Sequence, residues 1–227
     1  MTSPVAASLR NLLWPATAPA SPLADDPRVV ARCTQIEAEL AAGLPRGDLP
    51  RSFLGEQHYW TLVGVDGGGA RSGLIGEDGA IELGRAGPSL EPVVLLPDGR
   101  RVTWAQAQVT HTLREGYLPQ PAVHWAHPQV GLRIEAAADG PPGAPALLAR
   151  YTLSNPSDRP QTLRLVLVLR PWQVNPPQQF LTTPGGISPV RRLRWDAARL
   201  AIDGRPQVVF TRAPQRQHAW GFDAGLG

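Results

Sequence analysis

Residues Leu147–Pro176 read LLARYTLSNPSDRPQTLRLVLVLRPWQVNP. Ala149, Tyr151 and Leu153 share one side of an extended segment while Arg150, Thr152 and Ser154 share the other, the period of two that places one face of a strand in a core. The run breaks at Asn155-Pro-Ser-Asp-Arg-Pro160, residues that fix or favour turn geometry. It resumes with Leu163, Leu165, Leu167 and Leu169 alternating with Arg164, Val166, Val168 and Arg170, one side wholly apolar and the other half wettable. The two segments are expected to close on each other as a hairpin across the polar turn. This pattern decides for an all-β, antiparallel β-sandwich.

The 227 residues suffice for one large all-β domain, since sandwiches reach roughly 200–250 residues as single units. Hydrophobic residues make up 42% of the chain, and 25 Pro and 23 Gly favour many turns over long helices. All 22 basic residues are arginine, and the net charge is only +3. The one basic cluster, Arg191-Arg192-Leu-Arg194, opens a predicted strand, so the footprint of a phosphate-backbone binder is missing. The single cysteine, Cys33, excludes an internal disulfide framework and a multi-cysteine zinc site. No stretch approaches the ~20 apolar residues of a membrane helix. The N-terminus, with one Arg and an early Pro, lacks the layout of a secretory signal. These features point to a soluble, cytoplasmic chain, with a periplasmic location left open.

Working outward, residues 1–24, rich in Ala, Pro and Ser, read as a flexible lead. Asp25 or Asp26 caps a helix that Pro27 suits at its first position; Val29, Val30, Cys33, Ile36 and Leu40 recur at helical spacing until Gly43, giving an amphipathic helix within 25–45. From 52 to 212 the signals are those of strands and hairpins, beginning with Tyr59–Val65. Asp78-Gly79, Asp98-Gly99 and Asp203-Gly204 each separate two apolar runs, and Asp-Gly tolerates the positive φ angles of a type I′ hairpin turn. Residues 213–227 read as a tail or the start of a linker. Successive hairpins without intervening helices exclude a doubly wound α/β fold.

Motifs that carry chemistry are sparse. Asp66-Gly-Gly-Gly69 is followed by no Gly-Lys-Ser/Thr and by no helix, so it reads as a turn and no nucleotide cofactor is expected. His124 and His127 are three residues apart, which on a strand sends them to opposite faces, and no metal is expected. Glycosidic hydrolysis needs two carboxyl groups across a sugar. Glu77, Asp78, Glu82, Glu91 and Glu115 are available by type, but Glu77 and Asp78 fall on a turn, Glu82 on an outward face, and no spacing selects a pair. They read as solvated charges, and no catalytic residue is assigned. Seven Trp outnumber four Phe and three Tyr. Trp172, at a strand end, precedes Gln173, Asn175, Gln178 and Gln179 in a loop held by prolines. An indole face with neighbouring amides can stack on and bond a sugar, so these five residues are the candidate carbohydrate-binding set.

Arg51–Gly67 (RSFLGEQHYWTLVGVDG), Tyr117-Leu-Pro, Ala149–Pro156, Arg170–Phe180 and Thr183–Pro189 together resemble the N-terminal region of large bacterial discoidin (coagulation factor 5/8 type C) domain proteins, over roughly residues 28–212. Those proteins are similar to six-hairpin glycosidases and glycoside phosphorylases, in which a galactose-mutarotase-like β-supersandwich precedes an (α/α)6 barrel. The resemblance implies carbohydrate as ligand and a C-terminal helical barrel as partner. It places the catalytic carboxylates on the barrel, so this chain is expected to be a non-catalytic domain or fragment that lends a loop to a sugar cleft. The alternative is a free-standing carbohydrate-binding or protein-interaction sandwich.

Overall fold

A computed structural model describes residues 3–9, 39, 42–175, 186, 188 and 190–219. Fourteen strands among the described residues form two antiparallel sheets. In chain order they are β1 (Ser3–Leu9), β2 (Trp60–Val63), β3 (Gly73–Gly76), β4 (Ile81–Glu82), β5 (Ser89–Leu95), β6 (Arg101–Val102), β7 (Gln108–Arg114), β8 (Leu118–His127), β9 (Val130–Asp139), β10 (Ala146–Ser154), β11 (Arg164–Arg170), β12 (Leu193–Asp196), β13 (Arg199–Ile202) and β14 (Arg205–Phe210). Sheet A runs β12-β13-β14-β1-β10-β9-β8-β7. Sheet B runs β11-β5-β4-β3-β2, with β6 beside β5. The fold is an all-β sandwich. No helix among the described residues is long and apolar enough to cross a membrane.

Cross-strand register explains the core. In sheet A, His111, Val123, Ile134 and Tyr151 stand opposite one another across β7, β8, β9 and β10. In sheet B, Ile75, Ile81, Leu90 and Leu169 form the equivalent row. Residues directly opposite share a face, and the buried members of both rows belong to one apolar cluster, with Leu169 packed against it. Tyr151 is fully buried, and its hydroxyl finds no hydrogen-bond partner among the described residues.

The segment read as a hairpin is an arch between the sheets. β10 lies between β1 and β9 in sheet A, whereas β11 pairs with β5 at the edge of sheet B. The predicted faces hold: Leu147, Ala149 and Tyr151 are buried, and Leu165, Leu167 and Leu169 pack on the same cluster from the opposite side. Each apolar face is covered by the other strand's sheet, not by lateral pairing. The connection is pinned by Asn155, whose Oδ1 accepts from the Ser157 N–H at 3.0 Å and whose Nδ2 donates to the Arg159 carbonyl at 2.8 Å, an Asx turn.

The Asp-Gly turns divide into two kinds. Asp203 and Gly204 both have positive φ, +50° and +81°, as a type I′ turn requires. At the other two only Gly79 and Gly99 do, with Gly79 N–H bonded to Gly76 C=O and Gly99 N–H to Leu96 C=O. These are three-residue loops, a type I turn followed by a left-handed glycine. One further difference concerns the N-terminal region. Ser3–Leu9, expected in a flexible lead, forms β1 along most of β10. Its pairing supplies what its weak strand propensity does not, and Pro4 lies beyond the short β14 contact, where β1 has one neighbour and proline is tolerated as on an edge strand. Most of the predicted helix within 25–45 lies outside the described residues.

Candidate functional site

Leu74, Glu82, Ser89 and Arg170 are opposite one another across β3, β4, β5 and β11. They alternate with the core row of sheet B and therefore face away from sheet A. In a two-layer sandwich this face would be wet. Glu82 and Ser89 are nevertheless only 2% exposed, because residues 44–58 and 171–175 roof this part of the sheet. Leu49, Phe53 and Trp172 form a second apolar cluster with Leu44 and Leu54, the Phe53 and Trp172 ring centroids being 5.4 Å apart. The roof presses close at Gly76, where a Cβ would stand 2.8 Å from His58 Nε2 and 3.2 Å from Val174 Cγ1.

Charged groups stitch the roof down. The Val174 and Asn175 N–H groups donate to Glu82 Oε2 at 2.8 and 3.2 Å. Arg170, at the end of β11, lies 3.2 Å from Glu91 Oε2, donates to the Asp48 carbonyl at 2.9 Å, and holds its guanidinium 4.9 Å from the Trp172 ring centroid. Arg51 forks onto Asp78 in the β3–β4 turn, its Nε 3.0 Å from both carboxylate oxygens, and lies 3.5 Å from Glu77. Trp125, from the core of sheet A, donates its indole N–H to the Asp78 carbonyl at 3.1 Å. The turn thus connects both sheets to the roof. Trp104 receives the guanidinium groups of Arg46 and Arg51 over its ring, 4.5 and 4.6 Å from the centroid, a cation–π arrangement.

Burial dominates the electrostatics. It lifts the Glu82 carboxyl to about 7, even though backbone N–H groups of Asn175, Val174, Ala86 and Gly87 favour the charged form. It also raises Glu91 against the opposing pull of Arg170, and lowers His58 despite the nearby Asp78 and Glu77. The hydrogen bond to Asp78 keeps Arg51 more firmly protonated than usual. Between these groups lies a cavity of about 30 Å³, lined by His58, Asp78, Glu91, Trp125, Arg170 and Gln173 among others. That is room for one or two waters, not for a sugar ring.

Three carboxylates read from sequence as solvated are therefore covered: Asp78 and Glu82 are buried, at 4% and 2% exposure, and the Glu91 side chain is 14% exposed. Alternation assigns Glu82 correctly to the outward face, but that face is roofed. Glu115 does sit in an exposed turn, at φ +55°. His124 bonds Thr112 across β7 and β8 at 2.9 Å, and His127 Nδ1 accepts the Gln129 N–H at 3.2 Å.

Of the candidate carbohydrate-binding residues, Trp172, Gln173 and Asn175 are brought together, all buried at 4–8% exposure. The Trp172 indole is occupied by Phe53 and Arg170, so it anchors the loop from below. Gln178 and Gln179 lie outside the described residues. Sequence reading passed over Arg51 and Arg170, and weighed Glu82 and Glu91 only as solvated charges. For Glu82, Glu91 and Arg170 the available signal was the placing of charge inside otherwise apolar strands; Arg51 lies on the short helical turn Arg51–Leu54, which carries no such signal.

Comparison with known proteins finds no matching family model, no matching curated protein and no matching solved structure.

Proposed function

We propose that the chain is a non-catalytic β-sandwich domain of a carbohydrate-active protein, a rigid mount that packs on a helical barrel and presents the segment following Asn175 to a sugar cleft. One observation carries this reading: Glu82 grips the backbone at Val174 and Asn175, so the root of that segment is fixed to sheet B. The chemistry of the roof agrees. Asp78 is forked by Arg51, Glu91 is paired with Arg170, and Glu82 is capped by backbone N–H groups, so each carboxylate holds structure together. General acid–base work needs a carboxyl within reach of substrate, and the cavity beside Asp78 and Glu91, about 30 Å³, has room for water alone.

The test is turnover by the purified chain on 4-nitrophenyl glycosides, with and without inorganic phosphate, beside a glycan array probed with the chain and its Trp172→Ala variant. The expected result is no turnover. Turnover abolished by Glu77→Gln or Glu115→Gln would overturn the proposal. Tight glycan capture by the isolated chain would replace it with a free-standing carbohydrate-binding sandwich.

A further inference from the structure

β7 is an open edge. Among the described residues it pairs only with β8, and every one of its seven residues except Val109 is exposed. Edge strands are ordinarily kept from self-pairing by shortness, charge, proline or bulges. Other edges have such protection: β2 and β12 are four residues long, β12 also carries Arg194 and Asp196, and β11 opens on Arg164 and is covered at its far end, where Arg170 bonds the Asp48 carbonyl. β7 has no proline and no charge before Arg114, and its irregularity comes only at the end, between Leu113 and Arg114.

Its hydrogen-bonding side can be assigned. Leu113 stands opposite Pro121, which has no N–H to give, so this is a non-hydrogen-bonded pair. By the alternation of antiparallel ladders, Val109 and His111 then turn their own N–H and C=O groups away from β8, towards the open side, as does the Leu113 N–H, while the Leu113 C=O accepts the Gly116 N–H in the turn at 3.0 Å. The exposed apolar surface gathers on the same rim. Leu113 is 41% exposed and Tyr117, in the turn between β7 and β8, 71%. Tyr59, 61% exposed, donates its N–H to Glu77 Oε1, while His111 Nε2 bonds the Glu77 carbonyl at 2.8 Å.

We propose that β7 pairs antiparallel with β7 of a second copy of this chain, about a two-fold axis at His111, joining two eight-stranded sheets into one. The sequence is self-complementary in this register: Val109 meets Leu113, Thr110 meets Thr112, Gln108 meets Arg114, and no acidic or arginine side chains of like charge are opposed. The outward-turned groups supply about four backbone hydrogen bonds, two at His111 and one from each Leu113 N–H to the facing Val109 C=O, and the isologous contact closes on itself, leaving neither copy of β7 open.

The test is sedimentation velocity of the intact chain over a wide concentration range. Wild type is expected to reach twice the mass of one chain. Thr110→Lys/Thr112→Lys opposes lysines at two pairs and should weaken association by about tenfold or more. Thr110→Glu/Thr112→Lys changes the same positions, including the Thr112–His124 bond, but sets Glu against Lys and should dimerise again. A wild type monomeric at every concentration, a dimer indifferent to the lysine pair, or a Glu/Lys variant that stays monomeric would each overturn the proposal.

Discussion

Replacing Glu82 with Gln removes a charge from the roof while keeping its size. In the fold this carboxyl titrates at about 7, against an ordinary value of 4.5, because it is buried. An acid raised by folding is fully compatible with the fold below 4.5, and its contribution is lost as pH climbs through 4.5 to 7. At about 1.4 kcal/mol per pH unit, ionising Glu82 in place costs about 3 kcal/mol. The amide of the variant does not ionise. Its absolute effect includes a penalty for facing backbone donors with an NH₂ group, but that penalty does not depend on pH. The stability difference between Glu82→Gln and wild type should therefore move by about 3 kcal/mol in the variant's favour between pH 4.5 and pH 8. Glu91 and His58, which also titrate abnormally, are common to both proteins and largely cancel. Urea denaturation of both at pH 4.5, 6, 7 and 8 measures the shift. A difference that stays constant across the range would refute the reasoning, because it would mean that Glu82 is not buried as a charge under residues 171–175.

Two further substitutions probe the packing. Arg51→Ala leaves the Asp78 carboxylate, 5% exposed, without its guanidinium and should cost about 3 kcal/mol; adding Asp78→Asn should recover part of the loss, as judged by denaturant midpoint, whereas strict additivity would contradict the pairing. Tyr151→Phe removes a buried hydroxyl with no partner among the described residues and should leave stability unchanged or raise it by up to about 1 kcal/mol, readable as a rise in Tm; a clear loss would reveal a hydrogen bond to the hydroxyl.

The alternation of Leu163 to Arg170 identifies the strand and its buried face, because period two is a local property. It does not identify the lateral neighbour. A leucine face is satisfied equally by a hairpin partner's core or by an opposing sheet, and β11 takes the second course. The Asp-Gly positions were legible as turns, but whether one or both residues adopt positive φ depends on the register of the flanking strands, which differs between Asp203-Gly204 and the other two. Glu82 shows a subtler limit. Its outward direction follows correctly from alternation, but solvation does not follow from direction, since the segment that covers it arrives some ninety residues later. Trp172 was legible as a fixed point at a strand end. Phe53, from a segment more than a hundred residues earlier, determines that its ring faces inward.

Amide hydrogen exchange at Val174 and Asn175 tests most directly whether the roof is clamped to sheet B. In wild type both N–H groups should exchange as slowly as those of the neighbouring strand β5, and in Glu82→Ala both should exchange on the order of a hundredfold faster while β5 remains protected. Exchange at unprotected loop rates in wild type would contradict the account, because residues 171–175 would then not be held by Glu82 and could not form a rigid mount.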